Sequence, residues 1–201
     1  MIGVVDYGTS NLNSLTNALK EIDAPFEVIT DDYDLRKINR VIFPGIGSFD
    51  FCISSLKSKS WFEKLQNMVL KDQMPILGIC IGYQILFKHS SEGNLDGLCW
   101  IDGDINLISK TSADVKIPHM GWSAIKVKNS SRILSGVNGQ EFFFLHSYTA
   151  NIKNEDTVTA NCKYGDQLNV AVEHKNLFGV QFHPEKSFSQ GLKVLDNFRK
   201  I

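Results

Sequence analysis

Pro75-Ile-Leu-Gly-Ile-Cys-Ile-Gly-Tyr-Gln-Ile-Leu-Phe87 is the stretch on which the reading of this chain turns. The apolar run Pro75 to Ile79 predicts a buried strand, and Gly82 to Lys88 predicts the start of a helix. Cys80 stands at the junction, with Gly78 and Gly82 two positions to either side. This is the geometry of a nucleophile elbow with sulfur in place of a serine oxygen. Glycine is required at the flanks because a strand-to-helix turn this tight leaves no room for a Cβ. The N–H groups of the following helix favour thiolate over thiol. Taken alone, the pattern fits a buried structural cysteine as well as it fits a nucleophile.

Working outward, 201 residues suffice for one domain with a full core, expected here to span 1–201. A net charge of −1 offers no basic field for nucleic acid. No apolar run is long enough to cross a bilayer, and Met1 opens on a strand rather than a signal peptide. Cys52, Cys80, Cys99 and Cys162 form no C-x-x-C pair, so neither a zinc site, a redox motif nor a disulfide framework is expected. Three of the four default to small core residues.

The first half alternates strands and helices. Met1 to Asp6, Phe26 to Ile29, Arg40 to Phe43 and Pro75 to Ile79 are short strands. Asn11 to Asp23 sets Leu12, Leu15, Leu19 and Ile22 on one helical face, and Trp61 to Leu70 is a second amphipathic helix. That rhythm predicts an α/β fold with a parallel sheet covered on both faces. From about Leu95 the segments Asp104 to Leu107, Ser123 to Val127, Phe142 to Leu145, Thr157 to Tyr164, Asn169 to His174 and Leu177 to Phe182 read as antiparallel strands. Ser187 then caps a last helix whose Phe188, Leu192, Leu195 and Phe198 are expected to cover the sheet.

A thiol nucleophile needs a base, and the base needs an orienting group. In Gly179-Val-Gln-Phe-His-Pro-Glu-Lys-Ser187, His183 and Glu185 lie two apart in an extended stretch and leave on the same face. Pro184 restricts the backbone between them. Taken by itself, the segment favours an exposed strand-end histidine beside a surface glutamate. His119 and His146 are competitors for the role, whereas His89 and His174 sit in polar surroundings that predict a solvated surface. Phe43-Pro-Gly-Ile-Gly-Ser-Phe49 follows a strand, and its amides, with the N–H of Ile81, could line an oxyanion hole. It matches neither dinucleotide fingerprint nor P-loop, and a plain turn remains open. Asp6-Tyr-Gly8 reads as turn or interface.

P-G-I-G-S-F, G-I-C-I-G-Y-Q and G-V-Q-F-H-P-E, in that order, resemble the class I (triad) glutamine amidotransferases. The resemblance spans essentially the whole chain, since Val4-Val-Asp-Tyr-Gly8, Ile117-Pro-His-Met-Gly-Trp122 and Phe144-Leu-His-Ser-Tyr148 also match. The fold it implies is flavodoxin-like: a mixed, mostly parallel central sheet flanked by helices, with further antiparallel strands in the C-terminal half. The P-H-M-G-W element is similar to that of the glutaminase subunits of imidazole glycerol phosphate synthase.

What the resemblance implies is a Cys80–His183–Glu185 triad that hydrolyses glutamine to glutamate and ammonia. Ile46, Gly47 and Ile81 would hold the oxyanion. Gly47, Gly82, Gln84, Glu92, Ser147 and Tyr148 would hold the glutamine, although a solvated loop carboxylate also suits Glu92. The ammonia would pass to a separate (β/α)8-barrel cyclase in a heterodimer, with Asn11, Pro118, His119, Met120, Trp122 and Lys186 on the docking face. His119 fits interface or loop packing better than a second catalytic role. Neither a cofactor nor a metal is called for. The chain departs from the family at Ser10, Ile81, Tyr83, Cys99, Lys116 and Ser123, none of which removes a catalytic group. Several lie near the partner surface, which leaves room for a divergent copy supplying ammonia for sugar amidation in surface-polysaccharide or flagellar-glycan synthesis. A scaffold without activity is disfavoured because all three triad residues are present.

Overall fold

The computed structural model describes residues 1–8, 12–31, 33–45, 47–110, 115–128 and 130–201. Four short strands, β1 (Ile2–Val5), β2 (Phe26–Ile29), β3 (Arg40–Phe43) and β4 (Ile76–Ile79), pair in parallel in the order β2-β1-β3-β4. They read as continuous apolar runs because both faces of a parallel sheet are covered. On one face, helix α1 (Asn13–Glu21) buries Leu15, Ala18 and Leu19 against Ile2, Val4 and Ile42. On the other, α2 (Phe49–Ser58) and α3 (Phe62–Leu70) bury Ile53, Leu56, Leu65 and Val69 against Val41 and Phe43.

After β4 the chain makes α4 (Ile81–Gln84), the short strands β5 (His89–Ser90) and β6 (Gly103–Leu107), and then β7 (His119–Val127) and β8 (Glu141–His146). β9 (Tyr148–Ile152), β10 (Val158–Tyr164), β11 (Asp166–His174) and β12 (Leu177–Val180) complete the sheet, and α5 (Phe188–Arg199) closes the chain. β12 is the joint between the two halves. It runs antiparallel to β11 but parallel to β4, so only one of its two pairings follows the antiparallel expectation for Leu177 to Phe182. From β12 the order continues β11-β10-β7-β8, all antiparallel.

Several expectations need correction. α2 was not foreseen, although Phe49, Cys52, Ile53 and Leu56 form the buried stripe of an amphipathic helix. The helix expected over Gly82 to Lys88 is a single turn. The carbonyls of Ile85 and Leu86 accept instead from the N–H groups of Leu98, Trp100 and Ile101, so a loop replaces the next turn. On α5, Leu195 and Phe198 are buried as expected, but Phe188 is 74% exposed. Ser187 does not cap that helix with its side chain. Its hydroxyl donates to the His183 carbonyl and accepts from the Phe143 N–H, tying the segment after β12 to β8. Of the three cysteines assigned to the core, Cys52 and Cys162 are buried and Cys99 is exposed.

Candidate active site

The C-terminal ends of the parallel strands β3, β4 and β12 converge on one cavity of about 500 Å³. This is the edge at which open α/β sheets place their sites. Pro44, Gly45 and Gly47 come from the loop after β3, Cys80 from the end of β4, and His183 and Glu185 from the turn after β12.

Cys80 sits at φ 49°, ψ −106°, a conformation that L-residues rarely adopt and that costs of order 1–3 kcal/mol. The surrounding structure enforces it. Its N–H donates to the Val180 carbonyl at 2.8 Å, and its carbonyl accepts from Tyr83 and Gln84. A Cβ at Gly78 would run into the backbone of Gly82, and one at Gly82 into the Phe43 carbonyl. The flanking glycines therefore do what the elbow reading required. Gly82, however, is not among the residues lining the cavity: its missing side chain lets α4 pack on β3 and leaves no room for a ligand. That space comes from Gly45, in the loop that the sequence assigns to the oxyanion hole. A Cβ there would lie 2.8 Å from the Cys80 Cβ and 3.1 Å from the His183 ring.

His183 is buried, and its Nδ1 is 2.8 Å from Glu185 Oε1. Burial alone would lower its pKa. The negative charge at Cys80, together with hydrogen bonds to Cys80 and Glu185, outweighs this and lifts it to about 10. The ring lies between a sulfur and a carboxylate, both of which favour its protonated form. Glu185 Oε2 is buried with no hydrogen-bond partner among the described residues. The other buried thiols are silenced: burial, with lesser contributions from the charges of Glu92 and Cys80, pushes Cys52 up to about 12, and burial carries Cys162 to about 11.

Around the thiol, Gln84, Glu92, Ser147 and Tyr148 all line the cavity. Glu92 is exposed in its loop, as a solvated carboxylate would be, but its Oε2 accepts from the Phe49 N–H at the start of α2. Asp50, one residue on, accepts from the N–H groups of Asn94 and Leu95. These reciprocal bonds fasten the 92–95 loop to α2 and fix Glu92 over the cavity. Gly47 lies at φ +116°, where any other residue would be strained. Ile81 opens α4, so its N–H has no intrahelical acceptor. Ile46, also expected at the oxyanion hole, and Asn11, expected at the partner surface, lie outside the described residues.

The remaining surface residues divide. Pro118, Met120, Trp122 and Lys186 are exposed beside the cavity, where Met120 pairs with Leu145 and Trp122 with Phe143 across β7 and β8. Phe188 stacks on the exposed Trp122 with ring planes 4° apart rather than on the sheet. His119 is the exception: it is buried, sandwiched between Phe144 and Tyr164, and is packing rather than surface. Its Nδ1 is 3.0 Å from Nε2 of His146, whose Nδ1 donates to the Tyr148 carbonyl at 2.8 Å. Burial lowers His119 to about 4 and His146 to about 3, so neither competes with His183 as a proton-bearing base. His89 and His174 are exposed, as expected, with His89 beside Asp96. Among the described residues no cluster of His, Cys, Asp and Glu could hold a metal.

The glutamine amidotransferase class-I profile matches residues 3–201. The chain belongs to the class-I glutamine amidotransferases. Two relatives match over their full length: "Imidazole glycerol phosphate synthase subunit HisH 2" of Pseudomonas aeruginosa, 38% identical over 202 residues, and "Imidazole glycerol phosphate synthase subunit HisH" of Bdellovibrio bacteriovorus, 37% identical over 204 residues. In both cases all of this chain and all of the relative are covered. Among solved structures, a glutamine amidotransferase superimposes with a TM-score of 0.76 at 17% identity, covering 99% of this chain and 97% of that one. This last likeness supports the fold: a mostly parallel sheet with helices on both faces and antiparallel strands added.

Proposed function

We propose that this chain is the glutaminase subunit of imidazole glycerol phosphate synthase, hydrolysing glutamine and passing the ammonia to a cyclase subunit. The observation that carries the reading is the strained Cys80 beside a buried His183 that Glu185 holds at 2.8 Å, on the wall of a cavity of about 500 Å³. Full-length likeness to subunits of that synthase favours this partner over one that amidates a sugar.

In this reading Cys80 Sγ attacks the side-chain carbonyl carbon of glutamine. The resulting oxyanion is held by the amides of the Ile46–Gly47 peptide and Ile81. His183 donates its proton to the departing nitrogen, the C–N bond breaks, and ammonia leaves behind a glutamyl thioester. His183, now neutral, takes a proton from water as the water attacks the thioester. Glutamate departs, and the thiolate–imidazolium pair is restored. Glu185 orients the ring, and Gln84, Glu92, Ser147 and Tyr148 hold the amino-acid end.

The partner is a (β/α)8-barrel cyclase in the cytoplasm, forming a heterodimer in histidine biosynthesis. It would use the ammonia on a phosphorylated ribulosyl aminoimidazole carboxamide to give imidazole glycerol phosphate and an aminoimidazole carboxamide ribotide. The apolar strip of Met120, Trp122 and Phe188, with Pro118 and Lys186, suits its docking. Because free glutaminase activity would waste glutamine, docking is taken to set the Ile46–Gly47 peptide for oxyanion binding. The test is glutamate release from glutamine, with and without a cognate cyclase carrying its ligand. Release that rises on docking and vanishes in Cys80→Ala supports the reading. Release that survives Cys80→Ala, or that no cyclase stimulates, overturns it.

A further inference from the structure

Gln181 lies two residues before His183, so its side chain leaves the extended segment on the same side. It is completely buried. An apolar residue would fill this place without the cost of desolvating a carboxamide, so the amide calls for a reason. Its contacts supply one. Gln181 Nε2 lies 3.6 Å from the sulfur of Cys80, and its Oε1 accepts from Gln84 Nε2 at 3.0 Å. Gln84 Nε2 spends its second proton on the Tyr148 carbonyl at 3.3 Å.

The orientation of both amides follows from that carbonyl, which can only accept. It requires Gln84 to present its NH2 group, and Gln84 then requires Gln181 to present oxygen. The NH2 of Gln181 is left pointing at the sulfur. Turning either amide over would set oxygen against oxygen or hydrogen against hydrogen. The titratable groups around the thiol are His183 and Glu185 after β12, Lys186 beside them, His146 at the end of β8, Tyr148 at the start of β9, Glu92 in the loop after β5, and Cys52 on α2. Gln181 is the neutral donor set among them.

We propose that Gln181 is a positioning residue for the thiol chemistry: its carboxamide, oriented by Gln84 and the Tyr148 carbonyl, donates a hydrogen bond to the Cys80 sulfur and holds the thiolate in place for attack. This rests on Cys80 being the nucleophile. It also joins Gln84, on the wall of the glutamine cavity, to the nucleophile through a single buried amide.

The test is the pH dependence of Cys80 alkylation by iodoacetamide in the full chain, with the modified peptide identified by mass spectrometry. Gln181→Glu keeps the shape and the oxygen facing Gln84 but removes the donor. Gln181→Met removes both polar atoms at similar volume. In each folded variant the alkylation midpoint is expected to rise by at least about one pH unit, and the cyclase-stimulated kcat to fall about tenfold or more, the effect of losing a hydrogen bond to a charged group. The KM for glutamine should change far less. Midpoints equal to that of the unaltered protein overturn the inference. Should neither variant fold, the unaltered chain with nitrogen-labelled glutamine side chains decides: a carboxamide resonance must move with the pH midpoint of Cys80, and its absence overturns the inference. Failure of the glutaminase reading looks different, since glutamate release would then persist in Cys80→Ala.

Discussion

His183, on the turn after β12, and His146, at the end of β8, line the same cavity and are both almost fully buried, yet burial prevails at one and is overruled at the other. Among the described residues His146 is hydrogen-bonded to the Tyr148 carbonyl and the His119 ring, and burial lowers it, with any positive charge on His119 or His183 acting in the same direction. His183 faces a sulfur on one side and a carboxylate on the other. One region builds a proton carrier and the other a neutral, directional hydrogen-bond chain. What separates them is the sign of the charge within reach, since the degree of burial is the same.

The largest expected effect tests the charged region. His183→Ala should lower the cyclase-stimulated kcat for glutamate release by roughly 10³-fold, within the range for loss of a general acid–base group. His146→Gln should lower it less than about tenfold. Comparable losses in the two would erase the distinction, and steady-state kinetics with the cyclase present decides. Next comes the oxyanion loop. Gly47→Ala forces an alanine to φ +116° and should displace the peptide, costing on the order of a hundredfold in kcat with KM little changed.

The third prediction concerns stability and belongs to the neutral pair. His119 and His146 have folded pKa values of about 4 and about 3, below the unfolded value near 6.5, so the unfolded chain binds more protons between them. The contribution of these two histidines should therefore be full above about pH 6.5 and fall with acid, by up to roughly 1.4 kcal/mol per pH unit for each until its folded pKa is reached. Urea melts from pH 7 to 4 measure this slope, and His146→Gln should flatten it. A slope unchanged in that variant would mean that other groups carry the acid sensitivity. The smallest effect is expected from Ser123→Ala, which removes the 2.9 Å hydrogen bond to His119 Nε2. It should cost about 1 kcal/mol in the same melts and leave glutaminase kcat within a fewfold.

The charged region was legible in the sequence and the neutral one was not. G-x-C-x-G and H-P-E carry their geometry locally: glycines where a Cβ would meet backbone, and two side chains on one face of an extended segment. The His119–His146 contact joins residues 27 apart on paired strands, and nothing in either segment announces its partner. The same holds for Glu92, whose anchor at Phe49 is 43 residues away, and for Gln181, which reads as one more position in a strand. β12 was legible as a strand but not as the joint, because an apolar run of four does not reveal which neighbours it pairs with. The stripe of α2 was present in the spacing of Phe49, Cys52, Ile53 and Leu56 but was masked by the glycine turn before it. Phe188 continued a helical pattern and was assigned to the sheet, whereas it stacks on Trp122 at the surface.

Cys80, alone among the four cysteines, is assigned here as an acyl-accepting thiolate shaped for glutamine. Incubating the protein with an electrophilic diazo ketone built on the glutamine skeleton, followed by peptide mass spectrometry, tests it most directly. The account predicts one covalent adduct, on the peptide containing Cys80, suppressed by added glutamine and lost in His183→Ala. Labelling spread over Cys52, Cys99 and Cys162, or a folded protein in which Cys80 stays unmodified, would contradict it.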